Sequence, residues 1–249
     1  MNFANYLPPI SERRGRFEKL RPARYKMTSF LKHYNSLKQK KKPDAVFLWI
    51  PRTGGTSFFK ALEKYGCLKL RRLDQIHYHF PQTGLVTFSH CHYPTLLRDG
   101  FVSPGFNQRA FKFAVARNPY DRIVSLYHYF VKLGDIHPKT SFRLFCQLLK
   151  EDAIDKLGLF NVNGMSQCQP QVNWLKDTHE KLIPDYIGRY ETLAVSFSEI
   201  MTSLGLRAEM PHVNQTEHKP YLEYYDRELL DIVGDYYAED FECFNYERL

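Results

Sequence analysis

One stretch constrains this chain more than any other. Ala45-Val46-Phe47-Leu48-Trp49-Ile50 is an unbroken apolar run of strand length. Such a run suits a strand buried on both faces, as in a parallel sheet. Pro51-Arg52-Thr53-Gly54-Gly55 follows at once and predicts a loop. Thr56 to Tyr65 then carries Phe58, Phe59 and Leu62 at helical spacing. The pattern recurs. Leu85–Ser89, Phe111–Ala116 and Tyr186–Tyr190 read as further strands. Helices are expected over Tyr120–Lys132, Phe142–Leu149, Leu193–Leu204 and Arg227–Tyr237, with Pro119 suited to a first helical turn. Strands alternating with helices predict an α/β fold, a mainly parallel central sheet flanked by helices in three layers.

The 249 residues suit one domain with or without an extension. Charge draws the boundary. Residues 1–45 hold twelve Lys/Arg against three Asp/Glu, and the remaining 204 hold twenty-three against twenty-four. The net charge of +8 therefore belongs to a basic N-terminal extension, 1–43, ending in Lys40-Lys41-Lys42-Pro43, and the domain proper is 44–249. The extension reads as a tail or a strap, with a short helix within Ser29–Lys38. It is either a solvated arm or a contact for a polyanion. A uniformly basic nucleic-acid-binding domain is a poor description of the rest.

At 43% hydrophobic and 25% charged residues, wholesale disorder is excluded. No run approaches 18 consecutive apolar residues, and Met1–Ile10 lacks the pattern of a secretory signal. A soluble, cytoplasmic protein is expected. Cys67, Cys91, Cys146, Cys168 and Cys243 are odd in number and form no C-x-x-C pair, which argues for reduced, buried thiols rather than disulfides or structural zinc.

Three places carry chemistry. The first is the loop Pro51–Ser57. Its glycines let the backbone expose successive N–H groups, and the helix that follows adds its own unpaired N–H groups and dipole. Thr53, Thr56 and Ser57 supply hydroxyls and Arg52 a permanent charge. The loop lacks the lysine of G-x-x-x-x-G-K-[ST], and no acidic strand end presents itself for Mg²⁺, so an ordinary nucleoside triphosphatase loop does not fit. The second is Arg117-Asn118-Pro119-Tyr120-Asp121-Arg122-Ile123-Val124-Ser125, past a strand's carboxyl end, where open α/β sheets bind ligands. Arg117 and Ser125 would suit a second, separate phosphate, whereas Arg122 reads either as part of that site or as a helix-surface ion pair. The third is His90-Cys91-His92. If the strand continues through it, both imidazoles face one cleft. A zinc reading would need His77 and His79 as well, and two structural histidines are the plainer alternative.

The strand–Pro-Arg-Thr-Gly-Gly-Thr-Ser loop resembles the 5′-phosphosulfate loop of the PAPS-dependent sulfotransferases, where PAPS is 3′-phosphoadenosine 5′-phosphosulfate. Arg117-x-Pro119-x-x-Arg122-x-x-Ser125-x-Tyr127 resembles that family's 3′-phosphate motif, in the same order and at a similar separation. The resemblance covers about residues 44–249 and is nearest to the carbohydrate branch of the heparan sulfate 2-O-sulfotransferase type. Gly188-Arg189-Tyr190-Glu191 and Tyr236-Tyr237-x-x-Asp240-Phe241-x-x-Phe244-x-Tyr246 are also similar to that branch.

The resemblance implies a P-loop-type fold, PAPS as donor, PAP as product and no metal. It implies nucleotide contacts from Arg52, Thr53, Gly54, Gly55, Thr56, Ser57, Arg117 and Ser125. It adds Thr216 and Lys219 from His212–Lys219, which read otherwise as a plain surface loop. It also makes His92 the base that takes the acceptor proton, with His90 as helper or substitute. The family usually has lysine where this chain has Arg52. Arginine keeps the charge but cannot release a proton, so its role is electrostatic.

The reading that follows is sulfuryl transfer from PAPS to a hydroxyl of a carbohydrate or small secondary metabolite. Two alternatives stay open: a nucleotide kinase or NTPase, and a non-catalytic binder of anionic glycan or nucleic acid using the basic arm. A trimmed Golgi-lumenal domain is the alternative to a cytoplasmic enzyme.

Overall fold

The computed structural model describes residues 43–150, 161–163, 165–207 and 219–249. The basic extension through residue 42, its expected helix, and Thr216 lie outside the described residues.

The apolar run forms the middle of the sheet. β1 (Ala45–Leu48) pairs in parallel with β3 (Leu85–Thr87), Ala45 opposite Leu85. On its other side β1 pairs in parallel with β4 (Phe111–Ala116), from Ala45 opposite Phe111 to Leu48 opposite Ala114. β2 (Leu68–Lys69) flanks β3, and β7 (Tyr186–Arg189) flanks β4, both parallel. The order is β2-β3-β1-β4-β7. A two-residue hairpin, β5 (Asn161–Val162) and β6 (Met165–Ser166), stands apart.

Every β1 residue is buried because both faces of the sheet are covered. Ala45, Phe47 and Trp49 pack with Phe58 and Leu62 of α1 (Gly55–Glu63) and with Phe197 and Ile200 of α7 (Leu193–Ser203). Val46, Leu48 and Ile50 point the opposite way. They meet Leu96 of α3 (Tyr93–Arg98), Phe106 of α4 (Pro104–Arg109) and Ile76 of α2 (Leu73–His79). A third cluster joins α5 (Pro119–Leu133), α6 (Phe142–Lys150), α8 (Arg227–Tyr236) and α9 (Ala238–Cys243). Truncating a ring as fully buried as Phe58 to alanine costs about 3–5 kcal/mol. The α/β reading, with a mainly parallel sheet between helical layers, is the observed architecture.

β3 stops two residues short of expectation. Phe88–Cys91 closes a turn, with the Cys91 N–H donating to the Phe88 carbonyl at 3.0 Å and Ser89 left-handed at φ 54. Strand alternation therefore does not set the facing of His90 and His92. Two 3₁₀ helices, Gln171–Trp174 and Tyr221–Tyr224, complete the elements that bear on the site.

A candidate active site at the carboxyl edge of the sheet

Five segments converge where the parallel strands end. After β1 the chain turns through Arg52 at φ 67 and Gly54 at φ 79. A left-handed arginine is strained by about 1–2 kcal/mol, and such strain gathers at functional sites. Gly55 is required for a different reason: a Cβ there would lie 1.9 Å from Nε1 of Trp49. The indole thus packs directly on the loop. Among the described residues, no backbone acceptor is paired with the N–H groups of residues 52–56, and no side chain caps α1. Five successive donors at a helix N-terminus form an anion cradle.

Thr53 corrects one expectation. Its buried hydroxyl donates to the Ile50 carbonyl at 3.1 Å. It braces the loop, and its contribution to the cradle is its N–H. Thr56 is exposed and Ser57 half-buried, so both hydroxyls remain at the surface of the cradle.

The two phosphate motifs meet. Arg52 Nε donates to Ser125 Oγ at 3.0 Å, and its guanidinium lies 4.7 Å from the Tyr129 ring centre. Arg117, 4% exposed, donates to the Arg52 carbonyl at 3.1 Å and lies over the Tyr190 ring at 4.2 Å. Asp121 pairs with Arg117 at 2.8 Å. Arg52 has no carboxylate partner among the described residues. Burial, and then the Arg117 charge, destabilise the Arg52 cation. Two guanidiniums against one carboxylate leave an excess of positive charge beside the cradle, which an anion would relieve. The two motifs are joined at their base, since Arg117 holds the Arg52 carbonyl and Arg52 holds Ser125.

Arg122 is neither a helix-surface ion pair nor a ligand group. It is 1% exposed and donates to the carbonyls of Pro51 (3.1 Å), Gln169 (3.1 Å) and Gln167 (2.7 Å). Three carbonyl dipoles and the nearby Asp240 charge make its burial tolerable, and in return it fastens the loop to the segment before the first 3₁₀ helix.

That 3₁₀ helix is the part sequence reasoning missed. Gln171 bonds both edges of the Arg117 backbone: Oε1 accepts its N–H at 2.9 Å, and Nε2 donates to its carbonyl at 2.8 Å. Buried Asp240 accepts the N–H groups of Gln171 (2.8 Å) and Val172 (2.9 Å) and the Gln171 side chain (3.2 Å). Burial raises the Asp240 pKa, against the pull of Arg122 and these donors. Nothing around Gln171 signals such a role, whereas Asp240 sits in a C-terminal motif already singled out.

Both histidines lie against the same 3₁₀ helix. His90 Nδ1 is 2.9 Å from the Trp49 carbonyl, which can only accept, so Nδ1 carries the proton and Nε2 the lone pair. Its ring stands edge-on to Trp49 and Trp174, at centroid distances of 5.4 and 6.3 Å. Burial, then the Lys69, Arg71 and Arg122 charges, push its pKa down to about 4, although the Trp49 bond opposes this. His92 precedes α3, with Nδ1 2.9 Å from Thr95 Oγ1. Burial lowers its pKa, and a hydrogen bond to the Asn173 backbone works in the other direction. The Trp174 indole N–H is buried without a hydrogen-bond partner among the described residues.

The late motifs brace the far side. Tyr246 donates to Glu191 Oε2 at 2.8 Å, and Glu191 Oε1 accepts the Asn118 N–H at 2.7 Å. Arg189 donates to the Phe244 carbonyl at 2.8 Å. Lys219 is exposed, its ammonium 3.9 Å from Glu223 at the second 3₁₀ helix.

The profile of the sulfotransferase family matches residues 36–247. The chain belongs to the sulfotransferase family. A mouse sulfotransferase, SULT7A1, complexed with PAP, shares the fold with a TM-score of 0.51 at 14% identity, over 86% of this chain and 91% of that one. A sulfotransferase from Alicyclobacillus acidocaldarius aligns over 84% of this chain and 98% of its own, at 14% identity and a TM-score of 0.49. No curated protein sequence matches the chain. Among the described residues of this sulfotransferase, no helix is long and apolar enough to cross a membrane, and no group of three His, Cys, Asp or Glu side chains could hold a metal ion.

Proposed function

We propose that this sulfotransferase moves the sulfuryl group of PAPS to a hydroxyl of a carbohydrate or small-molecule acceptor. The observation that carries the reading is the run of unpaired N–H groups at residues 52–56 beside two guanidiniums that share one carboxylate. The PAP bound to the mouse relative supports the nucleotide class.

The donor supplies an activated sulfuryl group on a phosphate leaving group. The amides of 52–56, with the Thr56 and Ser57 hydroxyls, hold its 5′ end so that the acceptor oxygen attacks in line. Arg52 stabilises the negative charge that gathers on the departing phosphate. Arg117 and Ser125 hold the 3′-phosphate, which distinguishes PAPS from ATP, and Lys219 and Thr216 belong to its nucleotide side. His92 takes the acceptor proton. A base works best with a pKa near the operating pH, and His90, pushed to about 4, is too weak for that task near neutrality. His90 instead sits fixed by the Trp49 carbonyl and positions the wall of the cleft. A product PAP leaves, and the proton departs from His92 to water.

The test is metal-free calorimetric titration with PAP, 5′-AMP and, in parallel, ATP with Mg²⁺. PAP is expected to bind at least tenfold tighter than 5′-AMP, and R117K is expected to weaken PAP far more than 5′-AMP, removing most of that difference. A preference for ATP with Mg²⁺ would overturn the reading in favour of a kinase or NTPase. For His92, H92A should lower turnover by about 10²–10⁴-fold with PAP affinity unchanged. An equal fall in affinity would remove His92 from the role of base.

A further inference from the structure

The sheet order sets a line of groups along the carboxyl edge. Arg117 follows β4, the anion cradle follows β1, the histidine turn follows β3, and Lys69 ends β2. On the proposed reading, the nucleotide occupies the β4 and β1 end. The acceptor must then approach from the β3 and β2 end.

Two cations wait there. Lys69 lays its ammonium over the Trp49 ring at 3.9 Å and the Phe59 ring at 4.8 Å. Rings attract a cation but do not neutralise it. Arg71 is exposed, and its carbonyl faces Cys91, the residue between the two histidines, at 3.7 Å from Sγ. Neighbouring Arg72 is paired with Asp74 at 2.8 Å, whereas among the described residues no ion pair reaches Lys69 or Arg71. The charged and titratable groups around Lys69 are Arg71, Cys67, Glu63 and His90. Burial first, and then Arg71, push the Lys69 ammonium down to about 8, while Cys67 and Glu63 pull the other way. The same two cations act on His90.

We propose that Lys69 and Arg71 form an anion-binding end of the acceptor site, so that the hydroxyl to be sulfated belongs to a molecule carrying its own carboxylate, sulfate or phosphate. The Trp49 and Phe59 rings would lie beside that group, and the histidine turn stands between it and the cradle. This rests on the donor reading above, and the two fail separately.

The chain's two tryptophans, Trp49 and Trp174, both border the site, so their fluorescence reports on it. PAP-saturated full-length protein is titrated with glucose, glucuronate, glucose 6-sulfate and glucose 6-phosphate. At least one anionic sugar is expected to bind tenfold or more tightly than glucose. The three arms identify which anion the site prefers. In K69M/R71Q the preference should shrink below threefold while PAP affinity stays within threefold of wild type, which also shows that the variant folds. K69R should retain the preference. Raising the pH through about 8 should weaken it in the wild type and not in K69R. Equal binding of all four sugars, no binding of any, or a preference that survives K69M/R71Q would each overturn the proposal. Failure of the wild type to bind PAP would overturn the donor reading instead, and the sugar titration is then read on the nucleotide-free protein.

Discussion

The two ends of the sheet's carboxyl edge are built differently. At the β1 and β4 end, Arg117, Arg122 and Ser125 are 4%, 1% and 0% exposed, and each side chain has hydrogen-bond partners. At the β3 and β2 end, His90, His92 and Lys69 are half-buried, Arg71 is exposed, and Lys69 rests on rings rather than on a carboxylate. The first arrangement holds its geometry before any ligand arrives, which suits a donor of constant shape. Both ends carry unpaired positive charge, but the second also leaves surfaces open, which suits a partner that brings its own anion. On the proposed reading, the contrast assigns specificity to the acceptor side and preorganisation to the donor side.

Trp49 belongs to both ends, since its indole touches the loop at Gly55 and carries Lys69 on its face. The largest effect on PAP affinity is therefore expected from Gly55→Ala. Its Cβ would meet Trp49 at 1.9, 2.3 and 2.4 Å, and the ring is hemmed in by Phe47 and Phe59. Overpacking of this kind typically costs about 1–3 kcal/mol, and here it also distorts the cradle. PAP affinity should fall about a hundredfold and the Tm should drop. A variant with wild-type affinity would show that the two ends do not share this ring.

A second effect, read first on stability, separates the donor end from its support. Asp240→Ala leaves two buried backbone N–H groups and the Gln171 side chain without their acceptor, and removes a negative charge that acts on Arg122. The loss should be about 3–5 kcal/mol by urea unfolding. If PAP affinity also drops under conditions where the variant is folded, the 3₁₀ helix positions Arg117 through Gln171. If affinity is unchanged, Asp240 serves stability alone.

How much of this was legible follows the same division. Ala45–Ile50 and Phe111–Ala116 announce themselves because both faces of a central parallel strand are apolar. The loop was readable because its glycines follow such a run. Arg122 was misread because a charged residue inside a helix looks like surface, and only the fold brings three carbonyls to it. Gln171 has no local signature, since its partner lies 54 positions away in the chain. β2 is two residues long, and α2 buries only Ile76, so neither has enough periodicity to be seen. The acceptor end was consequently the less visible one. Its histidines stand out in the sequence, but Lys69 and Arg71 do not, because only the fold brings them beside the histidine turn.

The smallest effect sharpens the comparison through pH. His90 is held at about 4 in the folded chain against its ordinary 6.5. The unfolded state therefore binds more protons than the native state between those values, and stability rises with pH across that window. The contribution is complete above pH 6.5 and is lost as pH falls toward 4, by about 2 kcal/mol at pH 5. Asp240 has the opposite slope, because a carboxylate whose folded pKa is raised loses stability as pH rises through it. Urea unfolding of wild type and His90→Gln at pH 7.5 and pH 5 isolates the histidine turn, since the substitution removes the imidazole and leaves Asp240 in place. The variant should lose distinctly less stability on acidification than the wild type. Parallel losses would mean that His90 titrates as an ordinary exposed imidazole. Lys69 and Arg71 would then not act on the histidine turn, and the β3 and β2 end would divide into two independent parts.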